Sequence, residues 1–153
     1  MADGFFIYFH LMNSICLNGK LLPADKPALM VDNRSYRYGD GLFETIKMID
    51  QNISLEKFHF ERFFGGLKKM EFKIPALLTT ENLKQQILLL CKKNKCNSLA
   101  RVRLSVFRGN GGINESNDDL QYVIECWPVN ESVNQLNENG FVIDLYPEAR
   151  TGS

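Results

Sequence analysis

"YRYGDGLFETIKMID" (residues 36–50) sets two glycines around an acid, just ahead of a run that alternates polar with apolar side chains. Gly39, Asp40 and Gly41 signal a turn, and residues 42 to 49 signal a strand. Residues two apart on a strand share a face, so Phe43, Thr45 and Lys47 project one way while Leu42, Glu44, Ile46 and Met48 project the other. The first face carries a ring, a hydroxyl and an ammonium, a set able to hold a ligand carboxylate or phosphate. An edge strand with a solvated lysine has the same spacing. Glu44, on the apolar side, is expected to pair with a neighbouring lysine or arginine rather than to catalyse.

Upstream, residues 4–12 and 15–22 read as strands around a polar break at Asn13 and Ser14, and "LNGKLLP" (17–23) carries the Asn-Gly pair of a tight hairpin. "PALMVD" (27–32) suggests a short strand and "NRSYRYGDG" (33–41) a turn, while "DQN" and "ISLE" (50–56) suggest a second hairpin. Downstream, Phe60, Phe63, Phe64, Leu67 and Met70 recur at helical steps over residues 57–70. Gly65 and Gly66 weaken that helix, so close packing against a neighbour is their expected reason. "TTENLKQQILLLCKKNK" (79–95) opens with capping threonines and closes on lysines that complement the dipole, the marks of a helix. "LARVRLSVF" (99–107) and "LQYVIECWPV" (120–129) read as strands joined by the loop "RGNGGINESNDD" (108–119). "FVIDLYP" (141–147) reads as one more strand beyond a polar linker.

The 153 residues carry 18 basic and 18 acidic side chains, so no global field draws the chain to nucleic acid or to an anionic membrane. Any basic residue that matters acts locally. His59 and Arg62 are neighbours on the first long helix, and a forked guanidinium there suits a phosphate, although a surface arginine fits the spacing equally well. Arg101 and Arg103 share a strand face and Arg108 ends the strand, which suggests anionic substrate groups or ion pairs with the acid-rich segment 115–119. Exposed pairs of that kind contribute only about 0–1 kcal/mol and give little reason for three arginines. Two histidines without ligand spacing argue against a metal, and no nucleophile elbow accompanies a serine. Cys16, Cys91, Cys96 and Cys126 contain no CxxC pair and read as reduced thiols of a cytoplasmic protein. The apolar opening "FFIYFHLM" is too short to span a bilayer.

"YRYGDGLFETIKMID" followed by "FHFERFFGGLKKMEF" resembles the class IV aminotransferases, the fold-type IV pyridoxal-phosphate enzymes. The resemblance starts near "CLNGKLLPADKPALMVDNRSYRYGDG" and runs through "RVRLSVFRGNGG", most of the chain. It implies an α+β fold: a small N-terminal domain with a mostly antiparallel sheet and two main helices, and the first strand of a second domain. The expected division is a small domain over 1–128, a linker over 129–139 and the start of a larger cofactor-binding domain over 140–153. The resemblance implies that Arg62 binds the phosphate of pyridoxal phosphate, that Tyr38, Phe43, Thr45 and Lys47 line the substrate side, and that Arg103 meets substrate carboxylates. A homodimer without nucleic-acid or membrane partners is implied as well.

The family's Schiff-base lysine follows the strand matching "FVIDLYP", and no lysine occurs here after Lys95, so the chain is expected to end shortly before it. Thr45 matches a threonine of the 4-amino-4-deoxychorismate lyases thought to assist proton movement, and "FRGNGG" is similar to the lyase loop. Both favour a lyase releasing pyruvate and 4-aminobenzoate, whereas Ile113, where the lyase pattern has arginine, counts against it. The alternatives are a branched-chain or D-amino-acid aminotransferase and, from a different class, a non-catalytic binding or dimerisation module.

Overall fold

The computed structural model describes residues 13–96, 98–109, 119–130, 138–140 and 142–144. β1 (Ser14–Leu17) and β2 (Lys20–Pro23) form the expected hairpin, with Asn18 and Gly19 at φ 49° and 82° in the two-residue turn that matches strand twist. α1 (Arg34–Tyr38) leads into β3 (Gly41–Ile49), β4 (Asn52–Ile53) and α2 (Glu56–Lys69). α3 (Thr80–Lys93), β5 (Leu99–Arg108) and β6 (Leu120–Pro128) follow. The strands make one antiparallel sheet in the order β2-β1-β6-β5-β3-β4. This is the sheet with two main helices that the resemblance implied.

Both long helices lie on one face of the sheet. Phe60, Phe63 and Leu67 of α2, with Leu83, Ile87, Leu90 and Cys91 of α3, pack on Ile46, Met48, Val102, Leu104, Ile124 and Cys126. Burying each large aliphatic side chain contributes about 1.5–3 kcal/mol, so this single layer carries most of the stability. Thr79 caps α3, its Oγ1 accepting from the Asn82 amide at 3.2 Å. At the other end of α3, buried Asn94 exchanges two hydrogen bonds with the Ser14 backbone, at 3.0 and 2.8 Å, which ties the helix to β1. Gly66 meets its expected neighbour, since an added Cβ would lie 2.9 Å from Leu42 Cδ2, whereas Gly65 faces open space.

Three local expectations change. Residues 27–32 form no strand, and Leu29, Met30 and Val31 are exposed rather than set against a sheet neighbour among the described residues. The turn at 33–41 contains a one-turn helix, because Asn33 Oδ1 accepts from the Ser35 and Tyr36 amides and Gly39 ends it at φ 67°. The strand at 53–56 shrinks to Asn52–Ile53, since Leu55 turns left-handed to start α2. Residues 142–144 of the last expected strand have no strand conformation in the sheet, and a lone strand needs neighbouring strands. The opening strand 4–12, Ile113 and most of the 129–153 division lie outside the described residues.

All four cysteines are free and buried. The Cys126 thiol is pushed up to about 12 by a hydrogen bond with Cys91 and by burial, against an opposing contact with Cys96. Cys96 is raised by its contact with Cys126 and by burial. Such thiols are packing groups, held in the neutral form.

The turn ahead of β3 is held by charge. Asp40 pairs with Arg34 at 2.9 Å and with Arg108 at 2.5 Å, all three side chains being largely buried. Arg108 also donates to the Met70 carbonyl and stacks on Phe72, so it ties α1, β5 and the end of α2 together, while residues 115–118 of the acid-rich segment lie outside the described residues. Asn33 adds a bond to the Arg108 carbonyl at 3.2 Å. Gly41 follows under a steric requirement: its Cβ would lie 2.4 Å from the Val106 carbonyl oxygen. Asp40→Ala leaves two guanidiniums without their shared carboxylate and is expected to destabilise the fold by about 3–5 kcal/mol. Lys57→Ala, at the exposed pair with Glu61, serves as a near-neutral control. Urea unfolding of the two variants checks the contrast.

Candidate functional site

β3 is bonded to β5 along its whole length, from Gly41 opposite Phe107 to Ile49 opposite Leu99. On its other side β4 pairs with Met48 and Ile49 and the Ser54 amide donates to the Lys47 carbonyl at 2.9 Å, so residues 41–46 form a sheet edge that meets no further strand among the described residues. A ligand at such an edge can be touched from both faces of the strand. The alternation expected for β3 is observed: Glu44, Ile46 and Met48 are buried beneath the helices, while Phe43 and Thr45 are exposed and Lys47 is half-buried on the opposite face.

On that open face the register builds a grid. Thr45 stands opposite Arg103, which stands opposite Glu125; Lys47 aligns with Arg101 and Trp127, and Phe43 with Ser105 and Val123. Arg103 leans over the Phe43 ring at 3.7 Å and donates from Nε to Ser105 Oγ at 3.2 Å. Arg101 lies 5.3 Å from the Trp127 ring centre. Two hollows result. One of about 550 Å³ is lined by Lys26, Ser35, Phe43, Arg103, Ser105 and Glu125 among others. The second, about 440 Å³, is lined by residues that include Thr45, Lys47, Arg101, Trp127 and Asn130.

The other side of β3 holds a charged cluster under α2. Arg62 donates from Nε and Nη2 to the two Glu44 oxygens at 2.7 and 2.5 Å, and His59 Nδ1 lies 3.0 Å from Oε2. With Nδ1–H donating to Glu44, the 3.2 Å approach of Arg62 Nη2 to Nδ1 is two donors sharing one acceptor rather than a bond between them. Burial acts to raise the Glu44 carboxyl, but the hydrogen bonds from Arg62 and His59, with their charges, outweigh it and hold the group below its ordinary value. Glu44 is therefore the paired carboxylate that the sequence suggested. The Arg62 side chain itself is 66% exposed, with Nη1 unengaged among the described residues.

Of the residues singled out from the sequence, Phe43, Thr45, Lys47 and Arg103 come together on the open face. Arg62 lies across β3 from them, and Tyr38 ends α1 in an exposed position that lines neither hollow. Sequence reasoning missed Glu125. Its signal is the one that marked Glu44, an acid set between apolar residues in an alternating strand.

The family model for class IV amino-transferases matches residues 41–145. The chain belongs to the class IV aminotransferases. A putative branched-chain-amino-acid aminotransferase of Methanocaldococcus jannaschii is 32% identical over 99 residues, covering 65% of this chain and 33% of that protein. A D-alanine aminotransferase of Staphylococcus epidermidis is 29% identical over 83 residues, covering 54% and 29%. The chain thus spans about a third of the length of such class IV relatives. Among solved structures, the branched-chain amino acid aminotransferase from Escherichia coli superposes at a TM-score of 0.68 and 21% identity, over 77% of this chain and 41% of that one. The PLP-bound form of a hypothetical aminotransferase from Mycobacterium tuberculosis gives 0.62 and 21%, over 79% and 41%. At these identities the superpositions establish the class IV fold. Among the described residues no helix is long and apolar enough to cross a membrane.

The Glu44 cluster makes stability depend on acid. A carboxyl held below its ordinary value stabilises the fold fully above the unfolded value of about 4.3 and loses that contribution as pH falls through the lower folded value. The gap between the urea midpoints of the native protein and Glu44→Gln is therefore expected to be widest above about pH 5 and to close as the pH drops below about 4. A gap that stays constant across that range would remove Glu44 as the origin.

Proposed function

We propose that this chain forms the small domain of a pyridoxal-phosphate-dependent aminotransferase that moves an amino group from an amino acid to a 2-oxo acid. The observation that carries the reading is the free edge of β3, with a preset arginine on one side and a cationic, aromatic and hydroxyl face on the other. The named relatives are branched-chain and D-alanine aminotransferases, which supports amino transfer over the pyruvate-releasing lyase. Thr45, exposed on the open face, is the feature that favours the lyase as a second reading.

The residues present suit the cofactor. A phosphate needs forked, charged donors, and Glu44 fixes the Arg62 guanidinium in place while leaving Nη1 turned to solvent. When bound, the cofactor ring supplies an electron sink for the carbanion formed at the substrate α-carbon. Arg62 would hold the phosphate, and Glu44 and His59 would fix the angle of its guanidinium. Phe43 offers apolar contact to the substrate, while Lys47 and Arg103 orient its carboxylates by charge. Thr45 provides a hydroxyl able to hold or pass a proton at the β3 edge. A larger second domain after a linker at 129–139, a homodimer and a cytoplasmic setting complete the proposal.

Cofactor binding by the full-length gene product tests it. Pyridoxal phosphate is expected to be taken up with its characteristic absorbance, and Arg62→Ala to weaken that uptake by about 10- to 100-fold, the worth of a charge-assisted phosphate contact. Amino transfer from a panel of L- and D-amino acids to a panel of 2-oxo acids is expected of the loaded protein. Absence of both cofactor uptake and transfer would sink the reading, and release of 4-aminobenzoate from aminodeoxychorismate would replace it with the lyase.

A further inference from the structure

Thr45, Arg103 and Glu125 form one row across the open face, on β3, β5 and β6. Neighbouring strands lie about 4.8 Å apart, so the row runs about 10 Å inward from the sheet edge. Arg103 and Glu125 both line the 550 Å³ hollow. They stand directly opposite one another, yet they form no ion pair, because the guanidinium leans the other way, onto Phe43 and Ser105. Its two η nitrogens make no hydrogen bond among the described residues, and neither does the Glu125 carboxylate. Burial raises the Glu125 carboxyl and the charge of Arg103 opposes that rise. A half-buried acceptor and a half-buried donor, side by side and unmet, define what would satisfy both.

A terminal carboxamide does so, with its carbonyl accepting from Arg103 and its NH₂ donating to Glu125. A terminal carboxylate meets Arg103 but sets two negative charges together at Glu125. An aliphatic end meets neither group and leaves both polar partners desolvated and unpaired, the situation that gives hydrogen-bonding sites their discrimination. From Lys47 and Thr45 at the edge, a substrate of four or five carbons reaches the Arg103–Glu125 pair.

We infer that the Arg103–Glu125 pair selects substrates with a side-chain amide, such as glutamine or asparagine, over acidic and aliphatic amino acids. This names the substrate class of the proposed site and rests on that reading for the claim that the bound amide reacts. It also narrows the expectation that Arg103 meets a substrate carboxylate, because Glu125 shares the position and opposes one.

Three achiral five-carbon probes differ only at one end: glutaramate, glutarate and pentanoate. Calorimetric titration of the cofactor-free, full-length gene product is expected to show glutaramate binding at least about 10-fold more tightly than either of the others. Glu125→Gln, nearly isosteric, supplies a donor where the carboxylate stood, so glutarate is expected to gain and the glutaramate-to-glutarate preference to fall to about one or invert. Glu125→Leu is expected to reduce the preference for glutaramate over pentanoate to the share that Arg103 alone supplies. Thermal melts check that both variants fold, and the ranking in the native protein decides the matter without them. Equal or tighter binding of glutarate or pentanoate, or no binding of glutaramate, overturns the inference. So does a ratio unchanged in Glu125→Gln. The titrations need no cofactor, so loss of cofactor uptake and transfer would remove the proposed function alone. Transfer from aliphatic amino acids without the glutaramate preference would remove only the inference.

Discussion

Glu44 occupies the position on β3 where α2 can reach it with two donors, and that contact sets which way the strand faces. A shift of one residue would turn Phe43, Thr45 and Lys47 under the helices and send Ile46 and Met48 into solvent. Lys47 would then be a buried ammonium beneath an apolar helix layer, and Arg62 would lose its carboxylate. Both changes are costly, since an unpaired charge would be buried and a buried pair broken. The same carboxylate keeps the Arg62 fork fixed at the surface, so one interaction establishes the register of the strand and the aim of a cation on α2.

The entry to β3 is held by a different device. Asp40 lies between Arg34 and Arg108, bringing the α1 turn against the end of β5, and Gly41 lets the chain pass where a side chain would strike the Val106 carbonyl. Charge and steric clearance thus place the first residue of the strand, and Glu44 places the fourth. Between those anchors Phe43 has one direction available, outward, where it becomes the platform for Arg103. The exposed ring, costly as surface, is what turns that guanidinium away from Glu125.

The two faces of the sheet therefore divide the work. The helix face holds the hydrophobic layer and buried thiols pushed toward their neutral form, which contribute volume and no reactive charge. The open face bears cations from β3 and β5, one carboxylate from β6, and rings and hydroxyls between them. A face so charged, with no helix over it among the described residues, is suited to polar, anionic and dipolar ligands rather than to apolar packing.

Much of this was legible in the residues. The alternation of "LFETIKM" separates the two faces without any coordinates, because the strand period is two, and the apolar steps in α2 and the capped start of α3 mark two helices by the same kind of local rule. The class IV motifs could be recognised from short range alone. What the sequence could not decide was long-range register. Arg101 and Arg103 share a face in "RVRLSVFR" and Arg108 ends it, yet their partners lie beyond the strand: the fold sends one to Trp127, one onto Phe43 and one into the Asp40 clamp. Glu125 went unmarked in the sequence, and the pairing of β5 with β6 sets it opposite Arg103. Local periodicity determined which side chains share a face, since it needs only the geometry of one strand. Which of them meet across strands was decided by tertiary structure, since pairing depends on residues from 12 (Arg108 and Leu120) to 66 (Gly41 and Phe107) positions apart finding one another in the folded sheet.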